Sequence, residues 1–522
     1  MRQVVDYVVV GAGSAGCVVA EGLSTRHSVA LIEAGGSDRA LEVAIPAAFY
    51  KLFKTERDWA YETEPEPSGN SRRLFLPRGR MLGGSSSMNA MIYMRGRASD
   101  YDGWQERGAS GWGWESVLPV FKKMESNSRG ESPFHGVDGP IRVEDLRNPN
   151  PFTRRFVDAA MQYGLPANHD FNGASQEGVG VFQVTQHRGR RWSAADAYLR
   201  PAMRRPTLNV ITDALCTRIE VVNGSAAGVE YLKDGRLERI EARAEVILSG
   251  GVFGSAHLLQ LSGIGDPDQL RGAGVDVTNP NRHVGRHLQD HPVAGLIQTA
   301  TVGGTLDDAE SISELLRWLL LRRGRLTSNV AEAGAFARSS DRLSHPDLQF
   351  HFGPVYFEGH GLVPFSGNAF SLGPILLTPG SEGSVLLTSQ DPRQPPRIIG
   401  NYLARREDVE ALIRGVTMAR DIVSMRAFDA VRGEEILPGP MVRDHDELED
   451  FVRNRFELLY HPVGTCRMGS TDQGVVDSDL RVHGISSLRV ADASVMPRIV
   501  SGNTNAATMM IGARLVEKIL GG

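Results

Sequence analysis

The chain has 522 residues, too many for one compact core, so two or more domains are expected. Its 57 basic and 62 acidic side chains leave a net charge of −5, too mild and of the wrong sign for a nucleic-acid binder or a membrane-surface protein. The three cysteines, Cys17, Cys216 and Cys466, lie far apart with no CxxC spacing, which argues against a disulfide framework or a cysteine metal site; no metal is expected.

The N-terminus carries the strongest signal. Residues 8–16 read VVVGAGSAG, and Gly11, Gly13 and Gly16 fit the G-x-G-x-x-G pattern of dinucleotide-binding folds. A buried strand is expected over 4–10 and a helix over 14–24, with Ser14 and Ala15 at its phosphate-facing start. A second strand over 29–32 ends at Glu33 and Ala34, where an acid can bind a ribose hydroxyl. These features in order imply a bound dinucleotide without deciding between NAD and FAD. The first strand starts too early for a cleavable leader. The longest apolar run, 315–321, is interrupted by Arg317 and is far shorter than the roughly 20 residues that cross a bilayer. A cytoplasmic protein is expected.

Residues 77–96 read PRGRMLGGSSSMNAMIYMRG. Two glycines, three serines and an asparagine let backbone approach a ligand and offer many donors. Arg78 and Arg80 supply charge for a phosphate or carboxylate. Further on, 244–250 (AEVILSG) repeats the strand and glycine turn, with Ser249 and Gly250 at the turn and a helix from about Ser255. The basic run at 188–191 reads as a solvated or cofactor-facing loop. Alternation predicts strands over 346–351 and 383–389, and helical periodicity predicts helices over 315–323 and 407–424. His351, His360 and Tyr356 lie in QFHFGPVYFEGH and serve either the substrate pocket or the sheet and loops alone. Glu332 has two readings, a pocket carboxylate suited to a cationic alcohol or a structural partner.

Near the end, Tyr460 and His461 open YHPVGTCRMG, a short strand covers 488–491, and DASVMPRIVSGNTN runs from Asp492 and Ala493 to Asn503, Thr504 and Asn505. A final helix is expected over 504–520, with Asn505 as its cap or as a ligand-facing donor.

These motifs resemble the glucose–methanol–choline (GMC) oxidoreductases, in the choline-dehydrogenase-like branch. The resemblance covers nearly the whole chain and includes DWAYETEPEP at 58–67, FHGVDGPIRV at 134–143 and RRWSAADAYLRPAMRRP at 190–206. It implies FAD rather than NAD, held by an α/β Rossmann-like domain, beside an α+β substrate domain with an antiparallel sheet. Segments 1–150, 206–295 and 456–522 would build the first, and 151–205 and 296–455 the second. By the same resemblance, Arg80, Gly84, Ser85, Asn89, Ala90 and Met91 fall beside the pyrophosphate and isoalloxazine, Asp492 and Ala493 beside the flavin's phosphates, and Trp59, Asn503 and Thr504 among the cofactor-binding residues. Cys216 falls where a strand contacts the adenine, His461 at the catalytic histidine, and Asn505 at its partner, 44 residues on. Met88 replaces the histidine that links FAD covalently in some members, so non-covalent FAD is expected. Glu382 stands where many relatives carry arginine.

The chemistry fits an FAD-dependent oxidation of an alcohol to an aldehyde or ketone. The hydroxyl proton needs a base, for which an imidazole is suited. The oxygen left behind needs a donor. His461 and Asn505 are the expected pair, and oxygen or another acceptor would take the electrons. Two rivals remain at this stage: a lyase on the same scaffold, such as a hydroxynitrile lyase, and a non-catalytic flavin-binding protein. Neither the particular alcohol nor the oligomeric state follows from the residues.

Overall fold

The computed structural model describes residues 3–521. Two sheets organise it. The first runs in the order Leu208–Ile211, Val29–Ile32, Gln3–Val10, Arg236–Leu248, Ser225–Lys233, Ala214–Val222, with Leu488–Val490 added beside Arg236–Leu248. Gln3–Val10 is parallel to both Val29–Ile32 and Arg236–Leu248, with Val10 opposite Ile32 on one side and Leu248 on the other. The carboxyl ends of these strands therefore open at one level, the place where parallel α/β sheets bind ligands.

The strand expected over 244–250 begins at Arg236. Its start, Arg236–Arg239, is exposed and pairs only with Ser225–Lys233, in an antiparallel hairpin. Its last three residues, Val246–Leu248, are apolar and fully buried because strands flank them on both sides, Gln3–Val10 and Leu488–Val490. The helix expected from Ser255 starts at once, as Gly251–Leu261. The first helix spans Ser14–Leu23 and the last Asn505–Leu520, close to expectation.

The second sheet is antiparallel and runs Arg432–Leu437, Leu296–Ala300, Ala369–Leu376, Leu348–Gly353, Ala333–Ala337, Gly178–Val181. Helices Pro151–Tyr163 and Arg406–Ser424 pack on it around a core that includes Phe156, Phe350, Phe352 and Phe370. The combination is the expected α/β nucleotide-binding sheet joined to an α+β antiparallel one. Among the described residues, no helix is long and apolar enough to cross a membrane.

Two glycines of the fingerprint are required by packing. Gly11 has φ +98°, and a Cβ there would lie 2.4 Å from the Ser249 carbonyl oxygen. A Cβ on Gly16 would lie 1.8 Å from the Gly11 oxygen, so only glycine lets helix and strand touch. Gly13 has no such neighbour; its Cβ position is open, 3.9 Å from the nearest atom.

The Gly-Ser segment is anchored at its far end by a buried polar cluster. Arg95 and Glu125 are both fully buried and form an ion pair. Arg95 also donates to the Phe134 carbonyl at 2.6 Å, and its backbone N–H to Asn172 Oδ1 at 2.9 Å. Removing one charge of such a pair strands the other. Glu125→Gln is therefore expected to destabilise the fold by about 3–5 kcal/mol. Chemical denaturation checks it, and a midpoint matching the native protein would show that the pair contributes little.

Candidate active site

A cavity of about 620 Å³ lies between the two sheets. Gly11, Gly13, Ser14, Ala15 and Glu33 line one end. Trp59, Gly84, Ser85, Asn89, Ala90 and Met91 follow along one wall, with Ser249, Gly250, Asp492 and Ala493 on the same wall system. His351, Tyr460, His461, Asn503, Thr504 and Asn505 also line it. The rest of the predicted site stands back from the wall. Gly16 is consumed by helix–strand packing. Arg80 lies over the Trp59 ring, 5.1 Å from its centre, and Ala34 and Cys216 are part-buried in the layer behind.

Glu33 is buried and accepts the backbone N–H groups of Ala12 at 2.8 Å and Gly35 at 2.9 Å. Burial pushes its carboxyl up to about 7, against the lowering by those two N–H groups and Arg80. It thus fixes the phosphate turn as well as presenting an acid to the cavity.

Three helices begin on the cavity wall, at Ser14, Gly251 and Asn505. None has a side-chain cap bond. Uncapped first-turn N–H groups and helix dipoles favour an anion there. The N-termini at Ser14 and Asn505 suit a pyrophosphate in this way, whereas at Gly251 a carboxylate of the protein already takes the first N–H. Asp492 is engaged within the protein, accepting from the Gly251 N–H at 2.9 Å and the Ser255 hydroxyl at 2.6 Å.

His461 follows Tyr460, which is held at φ +65°. The Arg78 guanidinium donates to the Tyr460 carbonyl. Tyr460 also meets His360, its hydroxyl 2.5 Å from the His360 Nδ1. The backbone N–H of His461 donates to Asp290 Oδ1 at 2.8 Å. Its ring meets His291 through Nδ1, at 3.0 Å, and Asn503 through Nε2, at 3.1 Å. Burial, then the neighbouring His291, His351 and Arg78, hold its pKa well below the ordinary histidine value. His351 is buried too, pushed down to about 3, and its Nε2 has no partner among the described residues.

Several expectations need correction. The His461 ring bonds Asn503, while Asn505 lines the same cavity without bonding the ring. The Asn505 Oδ1 accepts from the Ser14 hydroxyl at 2.7 Å, tying the last helix to the first. Nor does Asn505 cap that helix, since Thr504 holds the cap position. Glu332 does not line the cavity. It accepts from the Asn150 N–H at 2.7 Å and from the Thr153 and Ser328 hydroxyls, so it is structural without being an ion-pair partner. Tyr356 is also off the wall; its ring stacks on Phe365 at 4.3 Å and its hydroxyl donates to Glu358. Glu382 pairs with His287 at 2.8 Å, outside the cavity. His291, Asp290 and Gln349 were missed. A signal for the first exists, because His291-Pro292-Val293 repeats the His461-Pro462-Val463 triplet.

The chain matches the N-terminal GMC oxidoreductase family over residues 5–293 and the C-terminal one over 379–512. The chain belongs to the GMC oxidoreductase family. It is an FAD-dependent enzyme acting on CH–OH donors. It is 42% identical to an alcohol dehydrogenase [acceptor] of Pseudomonas putida, over 99% of this chain and 95% of that protein. It is 41% identical to an oxygen-dependent choline dehydrogenase of Sinorhizobium fredii, with the same coverage. Among solved structures it is similar to pyridoxine 4-oxidase from Mesorbium loti, with TM-score 0.91, 30% identity and 99% of both chains covered. Formate oxidase of Aspergillus oryzae RIB40 gives TM-score 0.93 at 27% identity, again over 99% of both chains.

Losing Glu33 removes the acceptor for two turn N–H groups and the acid beside the nucleotide. Glu33→Ala is expected to weaken FAD retention by about 1–3 kcal/mol, roughly tenfold or more in dissociation constant. Flavin fluorescence of the filtrate after dilution measures it, and native-like retention would place the ribose contact elsewhere.

Proposed function

We propose that this GMC enzyme oxidises an uncharged, largely apolar alcohol, with His461 as the base, Asn503 as its partner and FAD held without a covalent bond. The observation that carries the assignment of the base is the imidazole of His461, buried on the cavity wall between His291 and Asn503. Residues 1–150, 206–295 and 456–522 as cofactor-binding segments, with 151–205 and 296–455 as substrate segments, belong to the same reading. Met88, buried on the wall where some relatives carry the linking histidine, supports non-covalent binding.

When bound, the flavin supplies the two-electron acceptor for the hydride. The chain's own residues handle the proton and the position of the oxygen. His461 Nε2 faces Asn503 at the wall and is the nitrogen placed to take the hydroxyl proton. The Asn503 amide stands ready to donate to the oxygen as negative charge grows on it.

Val293, Ile297, Val355, Phe357, Leu437 and Leu458 line the same cavity and suit an apolar carbon chain. The carboxylates in that part of the wall are already paired. Glu358 binds Arg455 at 3.1 Å, and Glu457 lies 3.4 Å from Arg72 and 3.3 Å from His360. With Glu332 engaged elsewhere, no carboxylate of the wall is left for a quaternary ammonium. This favours the chemistry named for the Pseudomonas putida relative over that named for the Sinorhizobium fredii one.

His461→Ala is expected to keep FAD and slow anaerobic flavin reduction by about 10²–10⁴-fold. A depressed pKa means that the native base is already deprotonated well below pH 6.5. The native rate should therefore stay level as pH falls through 6.5, where an ordinary imidazole would lose half its activity. Stopped-flow reduction across acid and neutral pH checks both; a native rate in the variant, or a fall centred at or above pH 6.5, contradicts the assignment.

The two asparagines separate cleanly. Asn503→Ala should slow reduction by about 10²–10³-fold, as for one lost oxyanion donor. Asn505→Ala should act mainly on FAD retention, through the loosened Ser14 contact. Rates and retention measured on both variants decide it, and the reverse pattern would restore Asn505 as the partner of His461.

A further inference from the structure

We propose that the Leu377 carbonyl, acting through His291, sets the tautomer of His461 and so makes Nε2 the basic nitrogen. This inference rests on His461 being the base.

The argument is one of donors and acceptors along a buried chain. His291 Nε2 lies 3.2 Å from the Leu377 carbonyl oxygen. His291 Nδ1 lies 3.0 Å from His461 Nδ1. His461 Nε2 lies 3.1 Å from Asn503 Nδ2, and Asn503 Oδ1 lies 3.2 Å from Gln349 Nε2. Each neutral imidazole has one N–H and one lone pair. Two polarities of the chain are self-consistent, because amide ends of Asn503 and Gln349 can exchange roles. In one, His291 donates to Leu377 and accepts from His461, whose Nε2 then carries the lone pair. In the other every bond is reversed, and the lone pair of His291 Nε2 faces the carbonyl.

A carbonyl oxygen accepts and never donates. The Val500 carbonyl also contacts the His291 ring, and it is the place of the Leu377 carbonyl at Nε2 that selects the first polarity. His461 then carries its proton on Nδ1, turned toward His291 and away from the cavity, while Nε2 presents its lone pair at the wall beside the Asn503 amide. His291 is fully buried and does not line the cavity, so it is a positioning residue. The other titratable groups around the two rings are His351, Arg78 and Asp290. Asp290 takes the backbone N–H groups of His291 and His461 on Oδ1 alone, and its buried Oδ2 bonds neither ring.

The test uses holoenzyme labelled with nitrogen-15 histidine, with His461→Gln identifying the His461 signals. Above neutral pH, the native His461 is expected to show a protonated Nδ1 and an unprotonated Nε2. His291→Leu removes the acceptor, so the two tautomers should mix and flavin reduction should fall about 10²-fold, within the range that a misplaced tautomer costs. His291→Asn returns an acceptor oxygen at the δ position and is expected to recover the rate to within about tenfold, with the native nitrogen pattern. An unlabelled substrate is not needed for the nitrogen spectra, so they stand apart from activity. If His291→Leu fails to fold, the native spectrum and the Asn variant still decide. A native His461 protonated on Nε2, or a folded Asn variant as slow as Leu with mixed tautomers, overturns the proposal. A native rate in His461→Ala, with the expected nitrogen pattern intact, would instead overturn the base assignment alone.

Discussion

The His461 ring is kept neutral, and much of the site follows from that. A carboxylate on the ring would raise its pKa and favour the imidazolium, which cannot take a proton. The nearest one, Asp290, is turned to backbone instead, receiving the N–H groups of His291 and His461 at 2.7 and 2.8 Å. The ring's own neighbours are imidazoles and, farther off, the Arg78 guanidinium, all of which oppose a positive charge. Burial acts in the same direction. The arrangement differs from the acid–histidine pairs of hydrolases, where a carboxylate stabilises the imidazolium as it forms.

Holding such a ring demands that several distant stretches meet. The segment that carries His461 crosses from one sheet to the other. Glu457–Leu458 pairs antiparallel with Pro292–Val293, bringing His461 beside His291. Some thirty residues later, Leu488–Val490 pairs parallel with Val246–Leu248 and delivers Asp492 to the nucleotide end. From there the chain returns through Gly502, held at φ +154° against Met94, to place Asn503 on the other side of the ring. The Asn505–Ser14 bond then closes the circuit between the last helix and the first. The left-handed backbone of Tyr460 is stabilised from outside, by Arg78 on its carbonyl and His360 on its hydroxyl.

What could be read from the residues depended on how local the determinant was. The phosphate turn was legible because Gly11, Gly16 and Glu33 act within one strand–helix–strand unit and each has a steric or electrostatic reason visible in the pattern. The exposed start of Arg236–Leu248 was not, because it is strand only through its pairing with Ser225–Lys233. Asn503 and Asn505 belong to one short motif, and only the folded chain shows which of them bonds the His461 ring. Glu332 and Tyr356 carry the right chemistry in the right neighbourhood, yet their directions are set by contacts with Asn150, Thr153 and Phe365, remote in sequence or dependent on loop shape. His291 was hidden in a different way, as a repeat of the His-Pro-Val triplet whose meaning appears only when two strands bring the copies together.

The charge arrangement of the wall has a consequence for selectivity. Where Glu358 and Glu457 are held by Arg455, Arg72 and His360, a substrate meets neither a free anion nor a free cation. Recognition beyond the hydroxyl then comes from apolar area, worth roughly 25 cal/mol per Å². Discrimination by that means is graded, about 1–3 kcal/mol for a methylene, whereas an unmatched polar group in a buried site is rejected far more sharply. On the proposed reading, the hydroxyl is the feature that the site reads strictly, through His461 and Asn503, and the carbon skeleton is read loosely. An enzyme built in this way suits a range of related alcohols better than a single ionic one.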